Sequence, residues 1–177
     1  MATLRREIRI HRPAAEVWTV CGRPELLHLW FPGIVNCAVE GDIRTITTGT
    51  GIPIPEQIIT NDALQHRFQY RITAALFTSH LATLDVIDIG DGTCMVVYST
   101  DAEPAVMALV IGGGTSGALA ELKRQFESGS GPALDAVRTT GAPAVAVATT
   151  DTPAVATPAV ATPAVATPAV ATEGGLV

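Results

Sequence analysis

Cationic charge is the first thing this sequence lacks. One of its 177 residues is lysine, Lys123, and Lys and Arg together number 11 against 17 Asp and Glu, for a formal net charge of −6. A nucleic-acid binder neutralises phosphates with a cationic face, so no nucleic-acid partner is expected. Cysteine is sparse too. Cys21, Cys37 and Cys94 are scattered and form no CxxC, which argues for reduced thiols in a cytosol and against a disulfide framework. Uninterrupted apolar runs are short: the longest, 105–111, stops at Gly112-Gly113-Gly114. That is far from the roughly 18–20 residues that cross a bilayer, so no membrane span is expected. The opening MATLRREIRIHRP has basic residues but no apolar core, hence no visible secretory signal, and a cytoplasmic location is the expectation. His11, His28, His66 and His80 fall outside HExxH or HxH spacing, so the reading includes no metal and no organic cofactor. The Gly-Gly-Gly-Thr-Ser-Gly stretch is not a phosphate loop, which needs Lys before its Ser/Thr. Nor is it a nucleophile elbow, because Ala118 stands where the last glycine belongs.

Aromatic residues vanish after Ser128-Gly129-Ser130-Gly131-Pro132. Four TPAVA pentads run from Thr152 to Ala171, and a looser copy begins at Ala142. A proline every five residues denies both helix and central strand. Ala and Val bury too little area to offset an ordering entropy of about 1–2 kcal/mol per residue. Two units are therefore expected: a folded domain over 1–128 and a disordered, partly polyproline-II tail over 129–177, which could engage a protein partner.

The first 128 residues alternate like a sheet. Leu4, Ile8 and Ile10 interleave with Arg5, Glu7 and Arg9, a half-buried strand. Pro13 suits the first turn of a helix carrying Val17, Trp18 and Val20, and a second short helix over 24–29 runs into Trp30-Phe31-Pro32-Gly33. Strands follow over 34–39, 43–48, 54–60, 67–73, 80–87 and 93–100. The breaks between them, such as Glu40-Gly41-Asp42 and Gly90-Asp91-Gly92, are too short for crossover helices, so the sheet is expected to be antiparallel. The last element, 103–128, places Ala108, Ile111, Thr115, Leu119, Leu122 and Phe126 on one helical stripe. Its triple glycine costs about 1 kcal/mol per residue against Ala, so either the helix kinks there or bare backbone opens space beneath it.

Periodicity also selects a face. With Thr50 at the centre of a hairpin, Arg44 opposes Glu56 and Ile46 opposes Ile54, and Ile58 joins that face. The apolar set should point inward and carry Arg44 and Glu56 with it. Burying those charges costs several kcal/mol each unless they pair, so an internal ion pair is expected. A register one residue off, or an exposed cross-strand bridge, is the alternative. Phe68 and Tyr70 share the inward face of the next strand, and Leu84 and His80 that of the one after. Tyr98, on a strand apolar on both sides, cannot be oriented this way. Trp30 at the helix exit, Ile111 and Thr115 on the last helix complete the candidate ligand wall.

The order strand, two small helices, six strands, long helix resembles the START/polyketide cyclase-dehydrase (SRPBCC) superfamily. Ala14-Ala15-Glu16-Val17-Trp18, Leu29-Trp30-Phe31-Pro32-Gly33, Glu56-Gln57-Ile58 and Phe68-Gln69-Tyr70-Arg71-Ile72 carry the likeness, over roughly residues 3–128. The resemblance implies an α+β helix-grip fold: a seven-stranded antiparallel sheet wrapped around a C-terminal helix, with a cavity between them. Gly51-Ile52-Pro53 is similar to the gate loop of abscisic-acid receptors and implies a lid. The stretch 73–79 lacks those receptors' latch, so a phosphatase-binding hormone receptor is not implied.

Three readings follow. The first is a carrier or sensor of a small hydrophobic molecule, lipid or polyketide-like. The second is a cyclase, dehydratase or aromatase acting on a poly-ketone chain, with Glu56 or His80 moving protons and Arg44 or Tyr70 stabilising an enolate. The third is an interaction module with a filled core, acting through the TPAVA tail. The residues assign no oligomeric state.

Overall fold

The computed structural model describes residues 1–140. Its elements are β1 (Ala2–Ile10), α1 (Ala14–Cys21), a 3-10 helix (Pro24–Leu29), β2 (Ile34–Glu40), β3 (Ile43–Thr48), β4 (Pro53–Asp62), β5 (Arg67–Ile72), β6 (Ser79–Asp88), β7 (Cys94–Glu103), α2 (Ala105–Ser128) and α3 (Pro132–Thr140). All seven strands pair antiparallel in the order β1-β7-β6-β5-β4-β3-β2. The first and second strands thus form opposite edges, and α1 with the 3-10 helix carries the chain from one to the other. Bulges beside Ile34 and Ile58 break the ladder locally and bend the sheet. This is the helix-grip arrangement, with α2 against β1 and β7.

The hairpin register follows from hydrophobic alternation: Arg44 faces Glu56 and Ile46 faces Ile54 across β3 and β4. A one-residue slip would turn Ile46 outward, so burial fixes the pairing. Phe68, Tyr70, Ala82, Leu84, Val86, Val96 and Tyr98 continue the buried face through β5, β6 and β7. Leu119, Leu122 and Phe126 of α2 close over it, all buried.

One expectation needs correction. The stretch 132–140 forms α3 instead of belonging to an unfolded tail. Pro132 opens it, Ala133 and Leu134 are buried, and Val137 packs one turn later. Gln125 of α2 holds the junction: its Oε1 accepts the Ala133 N–H (3.0 Å) and its Nε2 donates to the Leu29 carbonyl (2.9 Å). Composition hid a single apolar turn inside an Ala/Thr-rich stretch. The TPAVA pentads lie outside the described residues. An 18-residue window of α2 reaches a mean hydropathy of 1.5, enough by composition to cross a bilayer, because its glycines interrupt an apolar run without adding charge. In the fold α2 is the core helix, with Ala108, Thr115, Leu119, Leu122 and Phe126 buried.

α2 stays helical through Gly112-Gly113-Gly114, so bare backbone, and not a kink, is how the glycines are used. A side chain on Gly112 would collide with Leu4 of β1, and one on Gly114 would meet the Phe31 ring at 3.2 Å. Gly113 meets nothing within 4 Å. Gly113→Ala should therefore raise stability by about 0.5–1 kcal/mol in denaturant unfolding, from helix propensity alone. Gly112→Ala should show no such gain, since Leu4 must move aside. Equal gains at both positions would contradict the close approach of α2 to β1.

Candidate functional site

A cavity of about 280 Å³ lies between the β3–β5 face and α2. Ile46 and Thr48 of β3, Ile54 and Glu56 of β4, and Tyr70 and Ile72 of β5 form one wall. Alternation places each pair two residues apart on the same face. Leu27, Phe31 and Ile34, around the end of the 3-10 helix, make the second side, and Val110, Ile111 and Gly114 the helix side. The glycine supplies space, since any side chain there would press on Phe31.

Beside the cavity sits a buried ion pair. Arg44 Nε donates to Glu56 Oε2 at 2.6 Å, and both side chains are 2% exposed. The Arg44 guanidinium also stacks on aromatic faces, 4.4 Å from the Tyr70 ring centre and 5.0 Å from that of Phe68. Burial raises the Glu56 pKa above the ordinary carboxylate value, while the charge and hydrogen bond of Arg44 oppose the rise. Desolvation works against the Arg44 charge, yet the attraction of Glu56, Tyr70 and Tyr98 leaves it more firmly protonated than usual. Tyr70 and Tyr98 share a hydroxyl–hydroxyl bond of 2.7 Å in the same buried layer.

Not every candidate residue reaches the cavity. Ile46, Ile54, Glu56, Tyr70 and Ile111 stand on its wall. Trp30, Arg44, Phe68, Leu84 and Tyr98 border a second, smaller compartment of about 10 Å³, which shares Leu27 with the first. Among the described residues, Trp30 Nε1 and Arg44 Nη2, in two of the side chains that line it, have no hydrogen-bond partner. Ile58 packs on the core, and Thr115 is buried with its hydroxyl donating to the Ile111 carbonyl (2.9 Å). At the hairpin tip Ile52 is 59% exposed, so Gly51-Ile52-Pro53 stands away from the wall.

His80 does not line the cavity. It is buried, with ring centres of Tyr70 and Phe77 at 5.6 and 5.3 Å. Its Nδ1 accepts the Ile72 N–H at 3.0 Å, which fixes a neutral ring with the proton on Nε2. Burial lowers its pKa from 6.5 to about 4, against a smaller opposing pull from Asp101. A ring so committed is a poor proton shuttle at neutral pH.

Sequence reasoning missed Leu27, Phe31, Ile34, Thr48, Ile72, Val110 and Gly114. Thr48 and Ile72 were within reach of the period-two rule, two residues beyond Ile46 and Tyr70. Gly114 was one of the three glycines whose missing side chains could open space. Among the described residues, no group of three or more His, Cys, Asp or Glu comes together. The thiols of Cys37 and Cys94 are pushed up to about 11 by burial and stay protonated.

A family model described as polyketide cyclase/dehydrase and lipid transport matches residues 1–127. The chain belongs to that family. Among curated proteins none matches it. Solved structures share its fold. The protein XoxI from Bacillus cereus aligns with a TM-score of 0.66 at 23% identity, over 72% of this chain and 96% of that one. The di-domain ARO/CYC BexL from the BE-7585A biosynthetic pathway aligns at 0.61 and 18%, over 72% of this chain and 47% of that one. Norcoclaurine synthase from Thalictrum flavum, in complex with dopamine and hydroxybenzaldehyde, aligns at 0.58 and 18%, over 73% and 88%.

Two outcomes test this geometry. Arg44→Met alone strands a buried carboxylate and should cost about 3–5 kcal/mol, whereas Arg44→Met with Glu56→Leu should recover most of the loss in denaturant unfolding. A double variant as unstable as the single one would contradict a pair that matters by its charge. For His80, the folded ring refuses a proton that the unfolded chain accepts, so the unfolded state binds more protons between pH 6.5 and about 4. Its contribution to stability is full above that window and lost as pH falls through it. His80→Asn should flatten this part of the stability–pH curve; an unchanged slope would show that His80 is not its source.

Proposed function

We propose that the protein binds a small hydrophobic molecule in the cavity between sheet and α2, as a carrier or sensor. The observation that carries this reading is a space of about 280 Å³ walled by Leu27, Phe31, Ile34, Ile46, Ile54, Ile72, Val110 and Ile111. An apolar cavity of about 150 Å³ stays dry and takes up benzene, so this one has room for one or two rings. The family description, which joins cyclisation and dehydration with lipid transport, supports a small-molecule role. A filled-core module acting only through its tail is disfavoured by the same space. Buried protonated thiols suit a reducing, cytoplasmic setting.

Catalysis is the second reading, favoured by one observation: Glu56 stands on the cavity wall with a raised pKa, the state that suits a general base. BexL, by its name an ARO/CYC protein, and norcoclaurine synthase carry enzymatic names on the same fold. In this reading Glu56 takes a proton from a ketone-bearing chain, and Arg44 holds the carboxylate in place. His80 has no direct part.

Gly114→Leu should fill the cavity beside Phe31 and weaken uptake of an apolar fluorescent probe at least about tenfold, with α2 still helical by circular dichroism. Unaltered uptake would place the binding elsewhere. Native mass spectra before and after unfolding should show loss of a co-purifying apolar mass. Repeated absence of any bound or bindable apolar compound would overturn the carrier reading. Turnover of a poly-ketone mimic that disappears in a folded Glu56→Gln variant would instead establish the second.

A further inference from the structure

The cavity wall holds three polar side chains, and two of them are already engaged. The Thr48 hydroxyl bonds the Thr50 hydroxyl (2.9 Å) and accepts the Ile52 N–H (3.2 Å). The Tyr70 hydroxyl is shared with Tyr98 at 2.7 Å. Glu56 gives only Oε2 to Arg44; among the described residues Oε1 accepts no hydrogen bond. Unlike Trp30 Nε1, Arg44 Nη2 and His80 Nε2, that oxygen is not sealed away from open space, and the open space beside Glu56 is the cavity. Among the described residues, Glu56 Oε1 is therefore the one charged acceptor that the cavity wall leaves without a partner.

From this, and resting on the ligand-binding reading above, we infer that the ligand presents an uncharged hydrogen-bond donor, a phenolic or enolic hydroxyl, to Glu56. Three chemistries compete for the position, and charge separates them. A carboxylate or phosphate would lie beside a carboxylate, and no Lys or Arg is among the side chains that line the cavity. An ammonium would leave a surplus positive charge in apolar surroundings, since Arg44 at 2.6 Å already balances Glu56. A neutral hydroxyl donates to Oε1 and leaves the charge balance as it stands. Its aromatic or enone body meets Ile46, Ile54 and Phe31, within the room that 280 Å³ allows. Fatty acids and phosphate-bearing head groups are thereby excluded from the inner end of the cavity.

Probes of one shape and four polarities test this by calorimetry on the full chain: 4-propylphenol, propylbenzene, 4-propylbenzoate and 4-propylbenzylammonium. The phenol should bind tightest, about tenfold or more ahead of propylbenzene, as a hydrogen bond to a charged acceptor requires. Arg44→Met with Glu56→Leu, which keeps the wall but removes both charges, should still bind propylbenzene and lose the phenol's advantage. Propylbenzene equal to the phenol, or either ion ahead of it, overturns the inference while the cavity remains a binding site. Failure of all four probes overturns the cavity reading, and the inference with it. A phenol advantage that survives in the double variant also overturns it, because the donor would then be bonding elsewhere.

Discussion

A guanidinium and a carboxylate held together out of water constrain this fold more than any other contact. Arg44 and Glu56 sit opposite each other on β3 and β4, 2% exposed, and neither tolerates losing the other. The pair therefore penalises every register but one, adding to the preference that Ile46 and Ile54 express by burial. Replacing both by apolar groups would suit stability at least as well, so a stability argument alone does not account for their presence. What the charged pair supplies and a methionine–leucine pair would not is an oriented acceptor beside an apolar space. The guanidinium lies over the neighbouring Phe68 and Tyr70 rings, which together with the ion pair fix its position beside the carboxylate.

Opposite that acceptor, α2 makes room by what it omits. Gly112 lets the helix approach β1 over Leu4, and Gly114 leaves the volume a side chain would fill against Phe31. A close approach and an opening lie two residues apart, on nearly opposite faces of one helix turn. The helix-propensity cost of three consecutive glycines is offset by the long stripe that follows, where Leu119, Leu122 and Phe126 are buried against the sheet. Stability and space are thus divided along α2: its second half anchors, and its first half shapes the cavity.

The parts of this arrangement legible in the sequence are those with a period. Alternation placed Arg44, Ile46, Ile54, Glu56 and Tyr70 on one face, and the helical stripe of 108–126 identified the element that closes it. Depth was not legible. Residues on a single inward face divide between the 280 Å³ cavity and the second, smaller compartment. Tyr70 reaches the cavity while Phe68, two residues earlier on β5, does not. His80 illustrates a different limit: pattern gave its inward face, but a bond from the Ile72 N–H, set by the bend of the chain between β5 and β6, decides its tautomer and removes it from proton transfer. At the chain's far end, Gln125 ties α3 to the body through two backbone groups from distant segments, a contact no local composition reveals.

Carrier and catalyst differ here in the fate of a single proton. As an anchor, Glu56 must stay ionised while its ligand's hydroxyl donates to it, and the Arg44 charge favours that state. As a base it must accept the proton outright, and burial favours that one. The two influences act on the same carboxylate in opposite directions, so the ligand's own acidity decides between them. An alcohol, far weaker as an acid than a buried carboxyl, stops at a hydrogen bond. A phenol and a carbon acid flanked by two ketones are acids of similar strength, both weaker than a carboxyl, so removal of either proton requires the resulting anion to be stabilised. Once Glu56 has taken that proton it is neutral, and the Arg44 charge is no longer balanced by a carboxylate. Catalysis would therefore pass the Arg44 charge from Glu56 to the enolate, whereas a held ligand leaves the Arg44–Glu56 pair intact.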